Sequence, residues 1–210
     1  MEFDLEELFS IIKSAMKQAQ EDEGSFARII DRANDEDRNI FVGYIVDGTG
    51  TSIESTIRYW NRIDDEAGIP VENRKPIKIY IDSPGGSLTD TFTAIDAIRL
   101  SKTPVYTINT GCAYSGGFFM FIAGHQRIAY PNSSFMFHEG STASSQCDAA
   151  KFRNFADFYD RQLKVLKKIV LQYTNLTEEF YDKIHKDDYW LMAEDALEQG
   201  ICDEITKELI

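Results

Sequence analysis

A serine flanked by glycines stands near the middle of the chain and is followed by a histidine and by several aspartates. Ser115 lies in residues 111–117, and His138 and Asp188 come later in the chain. A hydroxyl is a poor nucleophile at pH 7, so it needs an adjacent base and a third group that orients this base. Serine, histidine and aspartate are the three types that supply this chemistry, and the sequence therefore points to a nucleophilic hydrolase.

The surroundings of Ser115 favour an exposed nucleophile. The predicted strand 105–108 leads into a turn, and Gly116 and Gly117 let a helix begin at or just beyond Ser115 without side-chain crowding. In that position the backbone amide of Gly116 would donate a hydrogen bond to an oxyanion. The alternative is an ordinary serine that caps the N-terminus of this helix.

A second glycine turn follows the predicted strand 77–81. Pro84 favours an extended conformation at Ser83, while Gly85 and Gly86 permit positive φ and close backbone approach. The backbone amides of this turn, that of Gly86 in particular, could hold a developing oxyanion. The alternative is a simple strand-to-helix turn in which Ser87 caps the following helix.

The chain has three histidines, of which one is placed as a general base would be. His138 ends an apolar predicted strand, whereas His125 lies in a turn and His185 lies at a helix end. A structural role for His138 is the alternative. Four aspartates are candidates for the orienting acid, and composition does not choose among them: Asp182, Asp187, Asp188 and Asp195.

Strands and helices alternate along most of the chain, which predicts an α/β fold with parallel strand pairing. Residues 1–37 are interpreted as an acidic helical appendage, with an amphipathic helix near 4–20, and residues 38–210 as the compact domain. The predicted strands are 40–46, 77–81, 105–108, 127–130 and 134–137; the predicted helices are 52–65, 87–100, 148–173, 177–185 and 193–199.

The bulk composition narrows the function classes. The net charge of −13 disfavours nucleic-acid binding, because phosphates repel such a surface. Three widely spaced cysteines without a CxxC pair suggest neither a disulfide framework nor a zinc site. Reduced thiols predict a cytoplasmic protein, and the acidic N-terminus and the lack of a long apolar run predict that it is neither secreted nor membrane-spanning.

Four segments, in this order and spacing, resemble the Clp protease proteolytic subunit, which shares a wider group with the crotonases. The resemblance covers residues 38–205. The matching segments are 79–87 (IYIDSPGGS), 111–117 (GCAYSGG), 131–138 (PNSSFMFH) and 191–203 (LMAEDALEQGICD). In the last motif the family's aspartate stands five residues before the alanine, which selects Asp188.

The resemblance implies a repeated strand-turn-helix fold and a serine endopeptidase that needs no metal or cofactor. Ser115 would be the nucleophile, His138 the base and Asp188 its orienting acid, with the amides of Gly86 and Gly116 as the oxyanion hole. It also implies polypeptide substrates, seven-membered rings that stack in pairs through a handle at about 141–174, and delivery of unfolded chains by a ring ATPase.

This chain departs from the family at several of these places. Gly116 stands where methionine is common, and Glu139 and Gly140 replace the usual glutamine and proline after the histidine. Lys78 and Thr110 occupy positions of the family's apolar ATPase-docking pocket, so docking to the usual ATPase is not expected. Such a divergent form, with an acidic appendage, would suit a phage or prophage protein.

Three other functions compete with a serine peptidase. A crotonase-like acyl-CoA enzyme would use the two glycine segments but would not need the three side chains. An α/β-hydrolase orders its triad serine, acid, histidine and would recruit His185 and an acid such as Asp160. A catalytically silent ring subunit would keep only the fold. The appendage would pack on its own domain, gate a pore or contact a partner.

Overall fold

Short runs of β-branched and aromatic residues form the strands of a mixed α/β structure. The structure is a computed structural model that describes residues 34–140 and 148–210. The elements of these residues are, in chain order, β1 (Asn39–Val42), α1 (Thr49–Glu66), a 3₁₀ turn (Val71–Asn73), β2 (Ile77–Ser83), α2 (Leu88–Leu100), β3 (Val105–Tyr114), α3 (Gly116–Ile122), β4 (Gln126–Ala129), β5 (Ser134–Phe137), α4 (Ala149–Tyr173), α5 (Glu178–Ile184), β6 (Tyr189–Met192), α6 (Ala193–Glu198) and β7 (Glu204–Ile205).

Parallel pairing dominates the sheet, as the strand–helix alternation predicts. The strand order is β1-β2-β3-β4-β7, and β3 runs parallel to β2, β4 and β5. The long strand β3 changes neighbours along its length: residues 106–109 pair with β4, and residues 112–114 pair with β5. The C-terminal end of β3 therefore lies next to β5. Ser115 follows β3 at the start of α3, and His138 follows β5.

An apolar helix anchors the centre of the fold. All seven residues of α3 are buried, as expected for a helix without a polar face. Phe118 packs on Phe137 with ring centroids 4.9 Å apart, and Phe121 packs on Phe135 at 5.0 Å. Burial of each of these phenylalanine side chains contributes about 1.5–3 kcal/mol to the free energy of unfolding. These contacts fix the start of α3 against the end of β5.

The prediction for the first strand, residues 40–46, is wrong at its end. The strand stops at Val42 because the chain then leaves the ladder, and Tyr44 is 75% exposed. Ile45 instead forms an isolated bridge with Gly86 in the glycine turn. Strands β6 and β7 were not predicted from the sequence, because both are short and lie next to helical patterns.

Polar side chains cap the helices at the predicted boundaries. The hydroxyl of Ser87 accepts a hydrogen bond from the backbone amide of Asp90, which confirms its expected capping role. The carboxylate of Asp148 accepts from the amides of Ala150 and Lys151 and so begins α4.

Residues Ile40–Ile210 form one compact unit. The helix predicted near 4–20 and residues 141–147, including Cys147, lie outside the described residues. Cys112 and Cys202 are free thiols. Within residues 34–140 and 148–210, no helix has the length and apolar character that a membrane span requires.

Candidate active site

Ser115 stands at the junction of β3 and α3 in an unusual backbone conformation. Its φ of 51° and ψ of −119° lie outside the regions that non-glycine residues favour, at a cost of about 1–3 kcal/mol. Its amide donates to the carbonyl of Met136 in β5 at 2.8 Å. The Ser115 side chain makes no capping hydrogen bond to α3; instead its Oγ lies 3.0 Å from Nε2 of His138. The geometry therefore disfavours the helix-cap interpretation.

Antiparallel pairing brings His138 and Asp188 together. In the β5–β6 ladder Phe137 pairs with Tyr189, so the next residues outward, His138 and Asp188, face one another. Nδ1 of His138 lies 3.1 Å from Oδ1 of Asp188. Asp187, which composition leaves equally eligible, lies in the turn after α5, where its amide donates to the carbonyl of Ile184. The structure thus groups Ser115, His138 and Asp188 in one line of contacts.

The glycine turn lies directly against Ser115. Gly85 has a φ of +100°, and a Cβ there would stand 2.8 Å from Cβ of Ser115 and 2.9 Å from the amide nitrogen of Gly116. Gly86 has a φ of +147°, and a Cβ there would overlap the carbonyl of Ile45. A side chain at either position would be strained and would clash, so both positions require glycine, and the turn packs closely against Ser115 and Gly116.

A cavity of about 570 Å³ opens beside these residues. Its walls combine the glycine turn, Ser115 and His138 with apolar side chains of α4, among them Phe155 and Phe158. An apolar cleft with a few convergent polar groups is the usual form of a substrate site. In the described residues, no group of three or more histidine, cysteine or acidic side chains is arranged to hold a metal ion.

Comparison with known proteins identifies the family. Residues 67–208 match the Clp protease family over most of the chain. The chain belongs to the Clp protease family. ATP-dependent Clp protease proteolytic subunit 2 of Prochlorococcus marinus (strain MIT 9312) is 33% identical over 175 residues, which cover 80% of this chain and 81% of that protein. Subunit 3 of Parasynechococcus marenigrum (strain WH8102) is also 33% identical, with coverages of 80% and 82%.

A more distant relative shows the same family. ATP-dependent Clp protease proteolytic subunit 2 of Treponema denticola is 32% identical over 135 residues, which cover 63% of this chain and 67% of that protein. The resemblance drawn from the four motifs is confirmed, and so is the expected α/β fold. By family, the protein is a Clp-type protease.

The other two histidines do not contact Ser115. Nδ1 of His125 accepts a hydrogen bond from the amide of Val105, and burial, aided by the charge of Arg99, lowers the pKa of His125. His185 contacts Glu139, with Nδ1 2.6 Å from Oε1. The α/β-hydrolase alternative needs His185 as its base, whereas the histidine that contacts Ser115 is His138.

Sequence reasoning missed several residues that line this Clp-type site. Thr91 in α2 and Tyr159 in α4 both border the cavity, and burial, with the nearby charge of Glu139, raises the pKa of Tyr159. Phe155, Phe158 and Tyr159 recur at helical spacing on one face of α4. That periodicity was a usable signal, but it indicates only an apolar face and not which cavity the face borders.

Proposed function

We propose that this Clp family member is a serine endopeptidase in which Ser115, His138 and Asp188 act as the catalytic triad. The observation that carries the proposal is the continuous contact from Ser115 Oγ to His138 Nε2 at 3.0 Å and from His138 Nδ1 to Asp188 Oδ1 at 3.1 Å. These distances are short enough for proton transfer at one ring nitrogen and for orientation at the other.

In the proposed reaction, Ser115 Oγ attacks the carbonyl carbon of the scissile peptide bond. His138 Nε2 accepts the hydroxyl proton as the new C–O bond forms, and it then gives this proton to the departing amine. Asp188 accepts the hydrogen bond from Nδ1, which fixes the tautomer and stabilises the positive charge on the ring. Water then attacks the acyl-enzyme by the same route in reverse and releases the second product.

The amides of Gly86 and Gly116 are proposed to hold the oxyanion. Gly116 opens α3, so its amide has no partner within the helix, and the glycine turn brings Gly86 close to it. Two such donors stabilise the charge that develops on the substrate oxygen, and removal of one typically costs a factor of about 10²–10³ in kcat.

Polypeptides that are unfolded or partly folded are the proposed substrates, inside a homo-oligomeric ring chamber. The relatives are named as proteolytic subunits of an ATP-dependent protease, which supports the proposal that polypeptides are the substrates. Exposed aromatic side chains on α4, such as Phe152 and Phe158, offer apolar surface for contact between copies. We propose residues 38–210 as the peptidase domain, with its handle at about 141–174, and residues 1–37 as an appendage. Lys78 and Thr110 are polar where the family's docking pocket is apolar, so we do not expect this chain to dock to the usual ATPase.

The test is active-site labelling with a fluorophosphonate probe, combined with native mass measurement. We expect labelling of the wild-type protein at Ser115, no labelling of Ser115→Ala, and strongly reduced labelling of His138→Ala with His185→Ala much less affected. A ring-sized native mass is expected. Binding of CoA esters without labelling would support the crotonase alternative, and neither labelling nor peptide cleavage at any oligomeric state would support a silent ring subunit.

A further inference from the structure

A close side-chain contact lies beside the proposed triad and joins the two chain segments that carry its histidine and its acid. Glu139 follows His138 directly, and His185 lies three residues before Asp188 in the turn after α5. Oε1 of Glu139 lies 2.6 Å from Nδ1 of His185, whose side chain is only 13% exposed. The two groups are therefore in close contact, although Nδ1 of His185 makes no hydrogen bond of ordinary geometry.

The main chain of Glu139 is held at both of its polar groups. Its amide donates to the carbonyl of His185 at 3.2 Å, and its carbonyl accepts from the hydroxyl of Tyr159 at 2.9 Å. The first bond ties the residue after His138 to the end of α5, and the second ties it to α4. The peptide that follows the proposed base is therefore fixed from two sides.

A stack of rings fixes the residue that precedes His138. The imidazole of His185 stacks on Tyr181 with centroids 5.3 Å apart and planes at 10°. Tyr181 in turn stacks on Phe137 at 5.9 Å and 14°. His185 thus reaches the chain on both sides of His138, through Glu139 after it and through the ring stack before it.

The strand ladder alone does not hold His138 against Asp188. The last paired residues of β5 and β6 are Phe137 and Tyr189, so the proposed base and acid both stand just beyond the end of the ladder. Asp188 is also 52% exposed, and water competes for its carboxylate. The contacts of Glu139 with His185 lie just beyond the end of the ladder and connect the same two segments.

We propose that Glu139 and His185 are positioning residues whose contact keeps His138 aligned with Asp188. Lys167 of the packed helix α4 pairs with Asp182 and Glu178, so its charge is already engaged elsewhere. The inference rests on the proposed triad. It assigns a task to Glu139, whose type at this position is one of the departures of this chain from its family.

The test is a double-mutant cycle with Glu139→Gln and His185→Phe. The first variant keeps the shape and both main-chain bonds of residue 139 and removes only the charge. The second keeps an aromatic ring on Tyr181 and removes Nδ1. Glu198→Gln, an exposed carboxylate at the end of α6, is the matched control for loss of one negative charge.

We expect each single variant to lower kcat by about tenfold with KM within twofold, and the double variant to be no slower than the slower single variant. Coupling of this size is typical of residues in direct contact, and an effect on kcat alone is the sign of a misaligned reacting group. The fluorophosphonate labelling rate should fall in parallel, while Glu198→Gln keeps the wild-type rate.

Other outcomes would overturn the inference. If the single variants keep the wild-type kcat, or if the double variant loses kcat by the product of the two single losses, the contact does not position His138. If a variant unfolds at a lower temperature and its loss of activity disappears when the assay is run well below that temperature, the contact is purely structural. These outcomes are distinguishable from failure of the proposed function, in which the wild-type protein itself would not be labelled at Ser115.

Discussion

A single methyl group added at Gly116 tests how tightly the proposed oxyanion site is built. A Cβ at this position would lie 2.5 Å from Oγ1 of Thr91 and 3.1 Å from Cδ1 of Ile45, whereas ordinary contacts begin at 3.4 Å. Thr91 is fully buried, and its hydroxyl donates to the carbonyl of Ser87 at 2.8 Å, so it does not rotate away freely. An opening of about 0.9 Å is therefore required between α2 and the start of α3.

Two separate losses follow from this opening in Gly116→Ala. Overpacking of a filled site costs about 1–3 kcal/mol of the free energy of unfolding. The amide of residue 116 moves with its Cα, and displacement of a reacting or stabilising group by about 1 Å costs on the order of 10²-fold in rate. We expect kcat/KM for a fluorogenic peptide to fall about 10²-fold, with a lower midpoint in denaturant unfolding.

Thr91→Ala is expected to rescue much of this loss in the double variant. It removes the atom that the new methyl group meets, and the carbonyl of Ser87 still accepts the backbone amide of residue 91. Gly43→Ala is the matched control, because a Cβ there meets nothing within 4 Å. Gly86→Ala should lose activity without rescue by Thr91→Ala, since its Cβ overlaps backbone. Wild-type kcat/KM in Gly116→Ala, or no gain on adding Thr91→Ala, would refute the reasoning.

Two further predictions concern carboxylates. Asp188→Asn should lower kcat for peptide hydrolysis by about 10²–10⁴-fold, because the amide no longer holds the required tautomer of the base. In the control Asp187→Asn, kcat should stay within about threefold of the wild-type value. Equal effects of the two substitutions would contradict the assignment of Asp188. Hydrogen bonds from the Ser87 hydroxyl and the Gly50 amide lower the pKa of Asp90, so its charge stabilises the fold above pH 3.8 and this contribution is lost as the pH falls below that value. Asp90→Asn should therefore cost about 1–2 kcal/mol in denaturant unfolding at pH 7 and less at pH 3; a pH-independent cost would contradict this account.

The sequence predicted the order of the elements well where the pattern is long and periodic. Helix α4 was expected at 148–173 and is observed at Ala149–Tyr173, because an amphipathic repeat and a capping aspartate are local signals. The strand expected at 40–46 ended early, since exposure of Tyr44 and the bridge of Ile45 to Gly86 depend on residues far along the chain. Strand β6 was not predicted, because it is short and its pairing partner β5 also lies far from it in the sequence.

Residue types and glycine positions, taken by themselves, determined which chemistry this chain is equipped for, because a nucleophile turn and a glycine pair are local backbone requirements. The resemblance to the family selected Asp188 over Asp187, but the contact itself came only from the tertiary structure, where the β5–β6 register sets which aspartate faces His138. The contact of Glu139 with His185 was equally invisible in sequence, since nothing local relates the end of a strand to the end of a helix. Contacts between distant segments depend on the packing of the whole fold, and the local sequence pattern does not predict that packing.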